Sequence, residues 1–258
     1  MKRLQKILIS LIGLILLTIT IVLMTIHVKT YQATSQAQAL ALEAKPIDHT
    51  LYFKAKGKAK ASILFYQGAL VEEEAYAPLA SDLAKEGIDV YLIKSPLNLA
   101  VLSGKPSSKL KEQLAKAPVY LAGHSLGGVI AAQTVNADHL NAQGLILLAS
   151  YPAKKTDLSQ ADLRVLSIRA SQDKVLNQPA YQTAKKRLPK TTEYRLISGG
   201  NHAGFGSYGK QDKDGKATIS NAQQQHDVVS LITHFITPPP RYTLEYRGLC
   251  LCTKIVNR

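Results

Sequence analysis

The sequence predicts an α/β fold: a mostly parallel sheet covered by helices on both faces, preceded by one N-terminal transmembrane helix. Three observations predict it. Short apolar runs alternate with longer amphipathic ones between residues 49 and 238. The later runs are almost continuously apolar, as parallel strands covered on both faces must be. The chain also begins with an uncharged apolar stretch long enough to cross a bilayer.

Taken in order, Ile7 to Ile26 contains no charged residue and matches the roughly 20 residues of a membrane-spanning helix. Lys2, Arg3 and Lys6 precede it, and only His27 and Lys29 follow closely. The positive-inside rule then puts the N-terminus in the cytoplasm and the rest outside, a single-pass protein of the cell membrane. A cleaved signal peptide is the alternative, but its apolar region usually runs about 7–15 residues with a small-x-small site close behind. Here the nearest such site, Ala37-Gln38-Ala39, is well downstream, and no cysteine follows for lipid attachment. Residues 1–29 are accordingly read as stub and anchor.

Residues 30–48, rich in Gln, Ala, Ser and Thr, read as a tether, partly helical in its AQALALEA piece. In the domain from 49 to 238, strands are expected at 50–56, 61–67, 88–94, 118–123, 144–150, 164–170 and 192–198. Helices are expected at 73–86, 108–115, 125–136, 178–188 and 219–236. Such alternation implies right-handed crossovers, and the connections are too compact for an inserted lid domain. Residues 239–258 read as a tail outside the fold. It holds the only two cysteines, Cys250 and Cys252, whose spacing suits neither a mutual disulfide nor a zinc site.

A net charge of +14 over 258 residues points to an anionic partner: nucleic acid, a membrane surface or an anionic polymer. Helix-turn-helix, zinc-finger and RNP-like patterns are missing, so no nucleic acid partner is expected. Lys54, Lys56, Lys58 and Lys60 alternate around Gly57 and suggest one face of an early hairpin. They would either shield a sheet edge from aggregation, the preferred reading, or rest on anionic head groups.

The chemistry centres on Gly123-His124-Ser125-Leu126-Gly127 within PVYLAGHSLGGVIAA. This G-x-S-x-G pattern gains meaning from its setting, a buried strand before and a helix after. The serine then occupies a strained turn that lifts its hydroxyl above the sheet edge. Glycines two residues to either side remove Cβ atoms that would collide there, and the helix N-terminus favours a developing anion. A serine hydroxyl needs a histidine base and a carboxylate to orient that base, and on such an elbow the partners follow in the order Ser, acid, His. Asp173 lies just past the strand ending at Ala170, where functional groups of open α/β sheets gather; its bland role is a turn aspartate. Asp157 and Asp162 fall in the polar stretch before that strand. His202 sits in the glycine-rich loop GGNHAGFG after the last strand. His226 and His234 belong to the final helix, His139 lies at the wrong end of the sheet, and His124 should point away from the nucleophile. Two backbone N–H groups must receive the oxyanion: Leu126, next to the serine, and one from the loop after the first parallel strand, Ala69, with Gly68 and Leu70 as alternatives.

Ser125, Asp173 and His202 in this order resemble the α/β-hydrolase superfamily. The runs FYQGALVEEEAYAPLA, SPLNLAVL, AGHSLGG and ISGGNHAGFGSYG together resemble its bacterial α/β-hydrolase fold-5 group, near the dienelactone-hydrolase-like esterases. The similarity covers about residues 51–236. It implies a lidless serine hydrolase acting on a small or polymer-borne ester or related acyl bond. Dienelactone hydrolase uses a cysteine nucleophile, so its substrate does not carry over, and the His-Gly signature of the oxyanion loop is replaced here by Gln67-Gly68. An acyltransferase with the same triad and an idle anchored binding module are the alternatives. Asp212, Asp214 and Gly215 hint at a calcium loop, but the ligand set is incomplete and a turn is expected. No dinucleotide or phosphate-cradle pattern and no metal cluster appears, so no cofactor or metal is expected.

Overall fold

Strands β3 (Ala61–Tyr66), β4 (Ile88–Ile93), β5 (Val119–His124) and β6 (Gly144–Leu148) are buried at every position, which only a layer on each face of the sheet permits. The computed structural model describes residues 2–137 and 140–237. Eight strands form one sheet in the order β1-β2-β4-β3-β5-β6-β7-β8. The short hairpin β1 (Lys45–Ile47) and β2 (Thr50–Phe53) is antiparallel to its neighbours. Strands β3 to β6, β7 (Arg164–Ala170) and β8 (Glu193–Ile197) are parallel.

Alternate residues of each central strand serve opposite cores. Ile63, Phe65, Val90, Leu92, Tyr120, Ala122, Ile146 and Leu148 join one core with α2 (Ser35–Ala41), α3 (Ala77–Lys85) and α7 (Asn221–Ile236). Leu64, Tyr66, Tyr91, Leu121, Leu145 and Leu147 face the other, under α4 (Ser108–Leu114) and α5 (Leu126–Ala137). The chain leaves β3 for one face and β5 for the other. That divergence opens a crevice beyond their C-terminal ends, where such sheets place their chemistry.

Helix α1 (Lys2–Lys29) is long and apolar enough to cross a membrane: its 18-residue apolar stretch has a mean hydropathy of 3.0, and none of that stretch is buried. Residues 30–48, expected as a tether, instead fold onto the domain. Ala33, Ala37 and Ala41 enter the core beside α3 because their small side chains let α2 approach closely. The main chain of Tyr31 bridges that of Val71, with Tyr31 N–H donating to Leu70 O at 2.7 Å and Glu72 N–H to Tyr31 O at 3.1 Å. The carboxylate of Glu72 accepts the Ala33 N–H at 2.8 Å.

The lysine stretch also differs from expectation. Strands β2 and β3 do not pair, because β4 lies between them. Lys54, Lys56, Lys58 and Lys60 therefore sit on an exposed loop, neither hairpin nor sheet edge. Lys56 N–H donates to Ala84 O and Lys60 N–H to Gly87 O, which fixes this loop at the N-terminal end of β4. Tyr31 lies past the C-terminal end of β3, a strand length of about 20 Å away. The tail at 239–258, with Cys250 and Cys252, and His139 lie outside the described residues.

Ala37 is fully buried, so Ala37→Asp should destabilise the domain by about 2–4 kcal/mol, an unpaired charge in a packed interface. A free tether would tolerate the change. Denaturant titration of the detergent-solubilised chain distinguishes the two.

Candidate active site

Ser125 occupies the turn between β5 and α5 with φ +52°, the left-handed region that a side chain enters only at a cost. The backbone is crowded enough to enforce it. A Cβ on Gly123 would lie 2.3 Å from the carbonyl carbon of Gly127, and one on Gly127 would lie 2.1 Å from Tyr66 O. Ser125 N–H donates to Leu148 O at 2.9 Å, and the hydroxyl of Ser150, at the end of β6, donates to Ser125 O at 2.6 Å. The elbow is thus hydrogen-bonded from β6 and its end, and packed at Gly127 against the end of β3.

Asp173 follows β7 and is buried. Its Oδ1 accepts the N–H groups of Val175 and Leu176 at 2.9 and 2.8 Å, and its Oδ2 pairs with His202 Nδ1 at 2.8 Å. It therefore serves as both turn aspartate and histidine partner. That leaves Nε2 as the other face of the imidazole, buried with no protein partner among the described residues. His202 and Ser125 line the same cavity, about 230 Å³, with Leu126, Val129, Ala149, Tyr151, Val175 and Leu176. A larger groove of about 650 Å³ between α3 and α7 contains His226 and His234. It holds neither Ser125, Asp173 nor His202, so chemistry rather than size selects the site.

In the loop after β3, Gly68 N–H donates to Tyr76 Oη at 2.9 Å and Leu70 N–H to Asn98 O at 2.8 Å. Both alternatives to Ala69 are therefore committed elsewhere, while Ala69 is exposed. Leu126 opens α5, so its N–H has no intrahelical acceptor.

Several supporting residues were missed in the sequence. Asp214, in the stretch that resembled a calcium loop, joins the acid and base loops: its Oδ2 accepts Ala203 N–H at 2.9 Å and its Oδ1 accepts Lys174 N–H at 3.3 Å. Gln224, buried on α7, exchanges two hydrogen bonds with the main chain of Asn201. His124 does not stand idle. Its ring lies 4.5 Å from that of His202, centroid to centroid. Because Tyr76 Oη already accepts from Gly68, its proton goes to His124 Nδ1 at 2.9 Å, which places the His124 proton on Nε2. Burial pushes the Tyr76 phenol up, so it keeps that proton. Burial, and then the proximity of His202, hold His124 well below its usual 6.5. The His202 carbonyl opposes this shift, although no partner reaches hydrogen-bonding geometry with His124 Nε2. His124 is thus neutral beside the ring of His202. The hint lay in the sequence: an aromatic hydroxyl eight residues past Gly68 and a histidine beside the serine.

Sheet order, the tight turn after β5 and the crevice beside it define the α/β-hydrolase fold. Residues 62–226 match the model of the Alpha/beta hydrolase family, and the chain belongs to that family. No match was found among curated proteins. Solved structures with the same fold include an alpha-beta serine hydrolase homologue from Coxiella burnetii (14% identity, 73% of this chain and 91% of that one, TM-score 0.52). A dienelactone hydrolase from Anabaena variabilis (12%, 72% and 89%, TM-score 0.51) is another. A third is an esterase from Thermogutta terrifontis (12%, 76% and 92%, TM-score 0.50).

Two predictions follow from the Tyr76–His124 pair. Tyr76→Phe leaves Gly68 N–H and His124 Nδ1 unpaired and should cost about 1–3 kcal/mol of stability, read by thermal unfolding. The unfolded chain binds a proton at His124 near pH 6.5 and the folded chain resists it. Stability from this residue is therefore fully present above that pH and declines as pH falls toward the depressed folded pKa, by up to about 1.4 kcal/mol per unit. His124→Asn, whose amide oxygen still accepts from Tyr76, should flatten that slope.

Proposed function

We propose that the protein is a membrane-anchored serine hydrolase that cleaves carboxylic esters. The observation that carries the reading is the Asp173–His202 pair at 2.8 Å, which leaves Nε2 without a protein partner in a histidine that lines the same cavity as Ser125. Rotation of the Ser125 hydroxyl toward Nε2 gives the nucleophile its base. His202 takes the proton as Ser125 Oγ attacks the acyl carbonyl, and Asp173 holds the imidazole with Nδ1–H directed at its carboxylate. The N–H groups of Ala69 and Leu126 receive the oxyanion. They act from a fixed backbone and need no reorganisation as charge develops. His202 then protonates the leaving alkoxide, and water, activated by the same base, releases the acid from the acyl-enzyme. The apolar lining from Val129, Ala149, Val175 and Leu176 suits the acyl chain near the carbonyl.

Anchoring is supported by the apolar length of α1. Lys2, Arg3 and Lys6 before it support, by the positive-inside rule, a catalytic domain on the extracytoplasmic side.

Ser125→Ala should abolish covalent labelling by a fluorophosphonate probe and hydrolysis of a p-nitrophenyl ester while the thermal melt is retained. Asp173→Asn should lower kcat by about 10³–10⁴-fold by favouring the wrong tautomer. Labelling that persists in Ser125→Ala rules out this nucleophile.

A further inference from the structure

The helix that anchors the chain and the groups that would bind the ester meet at the same edge of the sheet. Only Thr30 separates the end of α1 from Tyr31, and Tyr31 is hydrogen-bonded on both sides, to Leu70 and to Glu72. Its ring contacts that of Tyr208, and its hydroxyl accepts Asp212 N–H at 3.2 Å, so the loop after His202 grips it as well. The apolar stretch of α1 ends at Ile26. At helical rise to Lys29 and extended spacing beyond, Tyr31 lies within about 12 Å of the hydrocarbon boundary. That is at most about 5–7 Å beyond the head-group layer, which extends about 5–7.5 Å past the hydrocarbon core on each side. Leu70, next to Ala69, lies there with it.

The surface at this edge is suited to lipid. Leu97, Val101 and Leu102 are exposed at 44%, 54% and 47% on the segment after β4. The segment is fastened to the oxyanion loop by Leu70 N–H to Asn98 O at 2.8 Å, and Ser95 donates to the Gln67 side chain at 3.0 Å. The turn Ala100–Leu102 packs against α5, the helix that starts beside Ser125. Leu97 and Asn98 both have φ +55°, a conformation that costs energy and holds Leu97 in solvent. Lys29, Lys210 and Lys213 are exposed on the chain flanking the anchor exit, with Asp212 among them.

We propose that this catalytic edge lies against the bilayer that holds α1, with Leu97, Val101 and Leu102 in its surface, and that the substrates are membrane-resident amphiphilic esters. The scissile carbonyl of such a molecule, near the hydrocarbon boundary, reaches the site by rising about 12 Å or less. Its acyl chain near the carbonyl enters the Ser125 cavity, and the remainder stays in lipid, which a cavity of about 230 Å³ permits. The loop at Lys54–Lys60 then faces away from the membrane. The proposal rests on the anchored-hydrolase reading above.

The chain has no tryptophan, so single reporters test the orientation in the full-length protein, reconstituted in phosphatidylcholine–phosphatidylglycerol vesicles with brominated acyl chains. Val101→Trp and, within α1, Leu16→Trp should each lose at least half of their fluorescence, and Lys58→Trp should lose none. With unmodified lipids, a long-chain ester in the same vesicles should be cleaved about tenfold faster than the identical ester in separate vesicles, since shared residence raises its effective concentration. Quenching of Leu16→Trp without Val101→Trp or Leu102→Trp overturns the orientation and leaves the anchored hydrolase standing. Equal rates in shared and separate vesicles overturn the substrate class. An unquenched Leu16→Trp overturns the proposal together with the anchor, and absence of fluorophosphonate labelling overturns the hydrolase reading itself.

Discussion

The close approach of the turn after β5 to the end of β3 is the constraint on which the rest of the structure depends. Gly127 lies against the carbonyls of Tyr66 and Gln67, and Gly123 against Gly127, with no room for a side chain at either. The backbone can reverse there only through a left-handed residue, and that residue is Ser125. Its hydroxyl is thereby fixed at the crevice between the diverging chains, and α5 begins with unpaired N–H groups beside it. Strain at one residue is retained because the core on both faces, each built from alternate positions of the same strands, over-determines it.

Around that point the site is held by polar contacts as well as by apolar packing. Asp214 ties the Asp173 loop to the His202 loop, Gln224 fixes Asn201, and Tyr76 joins Gly68 to His124. Each such bond is strengthened by exclusion of water, and each is costly to leave half-made. The loop after β3, His202 and Asp173 are consequently positioned as one connected set, with His124 neutral against the ring of His202.

Much of this was legible in the sequence. The almost continuously apolar runs located the central strands, because parallel strands covered on both faces require apolar residues on both. The elbow was legible because its glycines are dictated by a steric limit. The supporting set was not: Asp214, Gln224, Tyr76 and Ser150 act through long-range hydrogen bonds that carry no local period. Residues 30–48 misled because small and polar residues suit a flexible linker and a close helix contact equally well. The lysines at 54–60 misled because alternation suggested a hairpin, whereas β4 inserts between β2 and β3, a fact of topology invisible to local pattern.

The end of α1, the loop after β3 and the exposed Leu97, Val101 and Leu102 lie along one edge because the chain re-enters the domain one residue after α1. The central claim, that Ser125, His202 and the two amides converge on one reacting carbon, is tested most directly by the structure of the full chain after reaction with a fluorophosphonate. The account predicts phosphorus bonded to Ser125 Oγ, the phosphoryl oxygen accepting from Ala69 and Leu126 N–H, and His202 Nε2 within hydrogen-bonding reach of Oγ. An adduct on another residue, or a phosphoryl oxygen turned away from both amides, would contradict it.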